Sequence, residues 1–210
     1  MDALECIATR RSIRKFKDTP VEWDKVVKIL EAGRMAPAAG NIQNWRFIVV
    51  REYANRKKVA QACYDQQWME DAPIIIVVVA EPDKAERFYG ARGERLYTIQ
   101  NCAAAIENML LAAHAEGLGS CWIGAFDESK LRSICQLPEY IMPHAIVPVG
   151  YADEKPLLPQ KQRVEFITRL EIWQGRRKYP YRGYISQLWP KLAEGAKETV
   201  KKHLKKLTKE

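Results

Sequence analysis

Residues 74–80 read IIIVVVA, seven consecutive apolar side chains between Pro73 and Glu81. The run constrains the fold more tightly than any other stretch of the chain. β-Branched residues fit a pleated sheet and lose side-chain freedom in a helix, so it predicts a strand. Its apolarity is unbroken, without the alternation of a half-exposed strand, which predicts full burial. Such a strand needs a sizeable core around it. A chain of 210 residues, 47% hydrophobic and 29% charged, is long enough to build one. Seven residues fall far short of the ~20 that a membrane span requires.

Helices and strands are predicted on both sides of this run. Asp2 to Thr9 reads as a short helix with Leu4, Ile7 and Ala8 on one face. Trp23, Val26, Val27 and Leu30 recur at three and four residues and predict a second helix to about Met35, which Pro37 ends. PAAGNIQN is loop, and WRFIVV is a strand by its β-branched and aromatic content. Asn55 to about Gln66 is predicted helical with Asn55 as cap. The longest predicted helix runs from Arg92 to Glu116. Leu96, Ile99, Cys102/Ala103, Ile106, Leu110 and Ala113 mark one stripe, and Ala103 to Ala105 with Ala112/Ala113 mark a second surface of small residues. A helix apolar nearly all round belongs in a core that is also an oligomer interface. GLGS stops it, CWIGAF is a short strand or extended loop, Asp127 caps another helix, and HAIVPVGYA is a strand. Elements that mix without strict alternation predict an α+β fold.

The formal net charge of +8 is unevenly placed. Residues 171–210 carry eleven Lys/Arg against four Glu, so the first 170 residues are nearly neutral. From Ile185 onward, Leu188/Trp189, Leu192, Ala196, Val200, Leu204 and Leu207 fall on one helical face with lysines on the others, predicting a basic amphipathic extension. Three roles suit it: a brace across a partner subunit, a site for acidic partners or lipid headgroups, or a solubilising tail. The five cysteines form no CxxC and read as free thiols of a reducing cytoplasm. The N-terminus has no apolar signal segment. The three histidines lie far apart in sequence, so no metal site is expected. No GxSxG or paired carboxylates suggest hydrolysis, and GLGSCWIG follows a helix where a dinucleotide fingerprint would follow a strand.

Three segments share the ability to hold a planar anion. RRSIRKF, residues 10–16, offers guanidinium forks and a hydroxyl for a phosphate. PAAGNIQNW, 37–45, offers amides suited to a heterocycle edge. GLGSCWIGAF, 117–126, offers backbone N–H groups that a ring can approach closely where glycine has no Cβ. Taken singly, each also reads as something ordinary: a solvated helix end, a plain loop, a helix cap leading into a core strand.

In order, the segments resemble the FMN-dependent nitroreductase family. The resemblance rests on Arg10-Arg11-Ser12-Ile13-Arg14, Pro37 to Trp45, NMLLAAHAEGLGSCWIG and Val147-Pro148-Val149-Gly150-Tyr151. It implies a domain over residues 1–170 with a central, mostly antiparallel sheet flanked by helices, in an intertwined homodimer that binds FMN at the subunit interface, followed by a basic extension at 171–210. It implies an NAD(P)H oxidoreductase that reduces nitroaromatic, quinone or related acceptors, with ping-pong hydride transfer through flavin N5. Arg10, Arg11, Ser12 and Arg14 would hold the phosphate and ribityl chain, and Lys161 and Arg163 would form a second phosphate clamp. Asn41 and Gln43 would reach the ribityl and pyrimidine side, with Pro37, Ala38, Ala39, Cys121 and Trp122 nearby. The backbone of Ile123 and Gly124 would face N5. Phe88, Tyr89, Arg92 and Tyr97 are candidate contacts for nicotinamide or an aromatic acceptor. No catalytic side chain is implied. Ala38 and Ala39 stand where the family usually has serine after the loop proline, and Asn44 stands where it has a stiffening proline. Two alternatives stay open: a flavin-fragmenting or dehalogenating enzyme of the same fold, and a non-catalytic binding protein that works through its basic tail.

Overall fold

The computed structural model of the protein describes residues 1–174. They fall into two compact units, residues 11–156 and Met1–Arg10 with the chain from Leu157 onward.

The larger unit is built on a four-stranded antiparallel sheet in the order β1-β2-β4-β3, with β1 at Trp45–Val50, β2 at Ile74–Ala80, β3 at Gly119–Ser120 and β4 at Met142–Gly150. The IIIVVVA run is β2, paired with β1 from Trp45↔Ala80 to Val50↔Ile75 and with β4 from Ile74↔Val149 to Ala80↔Met142. Its alternate side chains serve two cores. Ile74, Ile76 and Val78 pack with Val26 and Ile29 of α2 (Trp23–Arg34) and with Ile106 and Met109 of α5 (Thr98–Ala115). Ile75, Val77 and Val79 pack on the other face with Val59 of α3 (Tyr53–Ala62) and Leu131 of α6 (Glu128–Cys135). Helices on both faces explain why an antiparallel strand is apolar throughout. At ~1.5–3 kcal/mol per fully buried Ile or Val, β2 anchors the domain.

Three sequence expectations shift. The helix expected from Asn55 to Gln66 starts at Tyr53 and ends at Ala62, because Tyr64 and Asp65 both take left-handed φ near 56°. Glu52, not Asn55, is its N-cap. The long helix expected from Arg92 is present: α4 (Pro82–Arg92) breaks at Gly90 (φ 56°, ψ −151°), after which the backbone stays helical through a π-turn at Gly93–Tyr97 into α5. Within α5 the buried stripe is Thr98, Asn101, Cys102, Ala105, Ile106, Met109, Leu110 and Ala113, whereas Ile99 is 51% exposed.

His144 is the extra residue of a bulge, since Val78 faces Ala145 while Val79 faces Pro143. Burial pushes its pKa down against the opposing pull of Glu128. The cysteines of the described residues are free thiols, and burial pushes Cys63 and Cys102 up to about 12, which leaves both as inert core residues.

In the smaller unit, α1 spans Ala3–Thr9 with the Asp2 carboxylate accepting the Glu5 N–H at 2.8 Å, and α7 spans Val164–Ile167. The helical face expected from Ile185 onward lies outside the described residues. Among these, no helix is long and apolar enough to cross a membrane, and no group of three or more His, Cys, Asp or Glu is placed to hold a metal.

Candidate cofactor site

RRSIRKF is not a solvated helix end. From Arg11 on it adds itself to the edge of the sheet. Ser12 forms a parallel bridge with Ser120 of β3, and Phe16 an antiparallel bridge with Ala152 just past β4. The Ile13 N–H donates to Ser120 O at 3.0 Å, and the Lys17 N–H to Tyr151 O at 2.8 Å. The Glu154 carboxylate accepts the N–H groups of Arg14 and Lys15. Ile13 and Phe16 are buried with Ala72, while Ser12 is half-buried and Arg14 exposed. The apolar residues of the motif thus anchor it, and backbone bonds fix the places from which Ser12 and Arg14 present a hydroxyl and a guanidinium.

The glycines of GLGSCWIG have separate tasks. Gly117, at φ 78°, ends α5 in the left-handed region that glycine adopts without penalty. Gly119 lets RRSIRKF approach β3, because a Cβ there would sit 2.8–2.9 Å from three side-chain atoms of Ile13. Gly119→Ala is therefore expected to lower stability by ~1–3 kcal/mol and to weaken binding at this edge as well. Urea unfolding and ligand titration of the same variant check both effects.

Past Ser120 the chain stays against β4. The Cys121 N–H lies 3.4 Å from Pro148 O, and the Ile123 N–H donates to Ile146 O at 2.9 Å. Ile123 therefore cannot offer its N–H to a ligand, which corrects the expectation for that residue. Gly124 differs. It is exposed, its N–H has no acceptor among the described residues, and a Cβ on it would meet nothing nearer than Trp122 Nε1 at 3.9 Å. Cys121 is buried, and Trp122 is 40% exposed beside this opening. Ser120 Oγ is buried with no hydrogen-bond partner among the described residues. An edge with an available N–H and an open glycine, on the same segment whose Ser120 pairs with Ser12, fits a planar cofactor that carries a phosphate.

The PAAGNIQN loop is a second, separately built cluster. Ala39–Asn41 makes a 3-10 turn with Gly40 and Asn41 both at positive φ. Asn41 Oδ1 accepts from Gln43 Nε2 at 3.1 Å, and both side chains are exposed. The pair presents Asn41 Nδ2 as donor and Gln43 Oε1 as acceptor, which is what a pyrimidine edge requires. Pro37 is exposed, Ala38 packs on the main core, and Ala39 donates its N–H to Asn101 Oδ1 at 2.9 Å. Asn44 is fully buried and gives Nδ2 to Thr98 Oγ1 at 2.9 Å and Glu81 O at 3.3 Å. Side-chain hydrogen bonds thus hold the loop at Asn44, the position where the resembled family has a stiffening proline.

Three of the four candidate acceptor contacts join this cluster. The Tyr89 hydroxyl lies over Gly40, 2.4 Å from where a Cβ would be. Tyr89 packs edge-on against Tyr97 with centroids 5.1 Å apart, and Arg92 Nε donates to the Tyr97 hydroxyl at 3.0 Å. Phe88 is 73% exposed. In the smaller unit, Arg10 caps α1, Lys161 is exposed, and Arg163 precedes α7 with its guanidinium over the Phe166 ring. Sequence reasoning passed over Thr98, Asn101 and Glu154. The signal for the first two was their i, i+3 spacing on the buried face of an otherwise apolar helix.

The nitroreductase family profile matches residues 7–68 and 60–151, most of the larger unit. An Archaeoglobus fulgidus protein with the provisional name NADH dehydrogenase/NAD(P)H nitroreductase is 39% identical over 159 residues, covering 73% of this chain and 88% of that one. The NADH dehydrogenase of Thermus thermophilus is 32% identical over 182 residues, covering 74% and 89%. The solved structure of an FMN-dependent nitroreductase from Clostridium difficile superposes with a TM-score of 0.65 at 28% identity, covering 75% and 91%. With the antiparallel sheet, the Ser12–Ser120 edge and the open Gly124 beside it, these matches establish that the chain belongs to the nitroreductase family.

Proposed function

We propose that the protein is a homodimeric FMN-dependent oxidoreductase that draws electrons from NADH or NADPH and passes them to nitroaromatic, quinone or related acceptors. The observation that carries this reading is the pairing of Ser12 with Ser120, which brings the RRSIRKF segment to the edge that continues to the open Gly124. The names of the Archaeoglobus and Thermus relatives support the nicotinamide donor, and the Clostridium relative supports FMN. When bound, FMN would supply the redox chemistry of a ping-pong transfer of electrons from the nicotinamide to the acceptor.

The protein's own work is binding, orientation and exclusion of water. Arg11, Ser12 and Arg14 neutralise and hydrogen-bond the phosphate and ribityl chain, a role the family resemblance extends to Arg10, Lys161 and Arg163. Asn41 and Gln43 match the pyrimidine edge, with Pro37, Ala38 and Ala39 behind them. The Gly124 N–H would donate at N5, with Cys121 and Trp122 walling that side. Tyr89, Arg92 and Tyr97 form an aromatic and cationic surface for nicotinamide or acceptor, with Phe88 at its rim. No side chain has to move a proton.

The protein is expected to purify yellow, or to take up FMN one per chain, and to bleach under anaerobic NADH or NADPH. Adding menadione or nitrobenzoate should restore the colour. A colourless chain that takes up no FMN overturns the proposal, and so does a flavin that neither nicotinamide reduces.

A further inference from the structure

Besides Ser120 on the sheet edge, three polar side chains inside the larger unit are almost wholly removed from solvent: Asn44 and Thr98 at 0% exposure and Asn101 at 2%. Each unpaired amide or hydroxyl in such a place would cost a few kcal/mol, roughly 1–3, yet none is unpaired. The Ala39 N–H donates to Asn101 Oδ1 at 2.9 Å. Asn101 Nδ2 donates to Asn44 Oδ1 at 3.0 Å and to Ile42 O at 3.3 Å. Asn44 Nδ2 donates to Thr98 Oγ1 at 2.9 Å and to Glu81 O at 3.3 Å. The Thr98 hydroxyl donates to Gly93 O at 2.9 Å. Neither amide can be reversed without setting donor against donor, so the chain of bonds has one direction.

Its two ends are the segments to which the proposed chemistry is assigned. Ala39 opens the turn that carries Asn41. Gly93 opens the π-turn that carries Tyr97, and its carbonyl also accepts the Thr98 N–H in that turn. Tyr97 packs against Tyr89, and Tyr89 lies back over Gly40 in the loop. The bonds and the ring contacts therefore close a circuit, from loop through Asn101, Asn44 and Thr98 to the π-turn, and through Tyr97 and Tyr89 back to the loop. A satisfied buried network of this kind rigidifies what it joins.

We propose that Asn44, Thr98 and Asn101 are positioning residues that set the flavin loop and the acceptor surface relative to each other. Thr98 is the link that carries the loop's position to Tyr89 and Tyr97. The inference rests on assigning loop 37–44 to the flavin and Tyr89, Arg92 and Tyr97 to the acceptor.

Thr98→Val keeps the shape and removes the hydroxyl, and Thr98→Ser restores the hydroxyl without the methyl. Amide exchange of residues 37–44 is measured on flavin-free protein, together with FMN affinity and the kinetics of menadione reduction. In Thr98→Val the loop amides are expected to exchange about tenfold faster, though Thr98 hydrogen-bonds none of residues 37–43, because the bond from Asn44 Nδ2 is lost together with the one to Gly93 O. The KM for menadione should rise about tenfold with kcat changed less than twofold, and Thr98→Ser should return both to the wild-type values. Wild-type exchange and KM in Thr98→Val overturn the relay. So does a serine variant as impaired as the valine one, which would make Thr98 a packing residue only. If Thr98→Val does not fold, Thr98→Ala makes the same comparison with less steric demand. A wild-type chain that binds no FMN instead overturns the function proposed above, while the exchange comparison, made without flavin, still decides whether the relay exists.

Discussion

Replacing Ser12 and Arg14 together with alanine is expected to weaken FMN binding by two orders of magnitude or more while the fold persists. The fold persists because neither side chain holds the segment in place. That task belongs to the Ile13 N–H on Ser120 O, to the Arg14 and Lys15 N–H groups on Glu154, and to the burial of Ile13 and Phe16, all of which survive the substitutions. What disappears is a charge-assisted bond from a guanidinium, worth ~1.5–3 kcal/mol, and a hydroxyl bond of ~1 kcal/mol. Their sum corresponds to roughly 10²–10³ in affinity. Flavin fluorescence titration of the double variant, beside its urea midpoint, separates the two effects. Wild-type affinity in a folded double variant would remove RRSIRKF from the cofactor site.

The sequence made the sheet and the motifs legible to different depths. IIIVVVA announced a fully buried strand, and β2 is one, with a helix layer on each face. The location of RRSIRKF on a sheet edge was not legible, because its bridges to Ser120 and Ala152 join residues more than a hundred positions apart. The end of α3 was missed because Tyr64 and Asp65 carry no glycine-like signal for their left-handed backbone. The buried face of α5 is offset because a π-turn keeps helical spacing while shifting the face that follows it, so the stripe belongs to Thr98 and Asn101 and not to Ile99. The same shift hid the network around Asn44. Two polar letters inside an alanine-rich helix look like tolerated exceptions until the loop that they hold is seen against them. The departure at Asn44 is therefore explained by tertiary contacts that no local pattern contains.

Gly124→Val should leave stability unchanged and lower FMN affinity at least a hundredfold, a combination that the apoprotein alone gives no reason to expect. Gly124 has no positive φ to preserve, and its Cβ position is open apart from Trp122 Nε1 at 3.9 Å. The fold does not require glycine there. By narrowing the unfolded ensemble, a side chain at an unstrained site can even add a few tenths of a kcal/mol. A flavin would meet that side chain directly. For the Gly124 N–H to reach a ring nitrogen at about 2.9 Å, the ring must lie against this stretch of backbone, in the space that an isopropyl group fills. Gly119→Ala makes the contrast, because there the fold itself has no room: Ile13 stands 2.8 Å away, and stability and binding should fall together. Measured side by side by thermal unfolding and flavin titration, the two variants separate a glycine kept for packing from one kept for a ligand. If Gly124→Val binds FMN as the wild type does, the flavin does not lie along this edge, and the donor at N5 must be sought elsewhere.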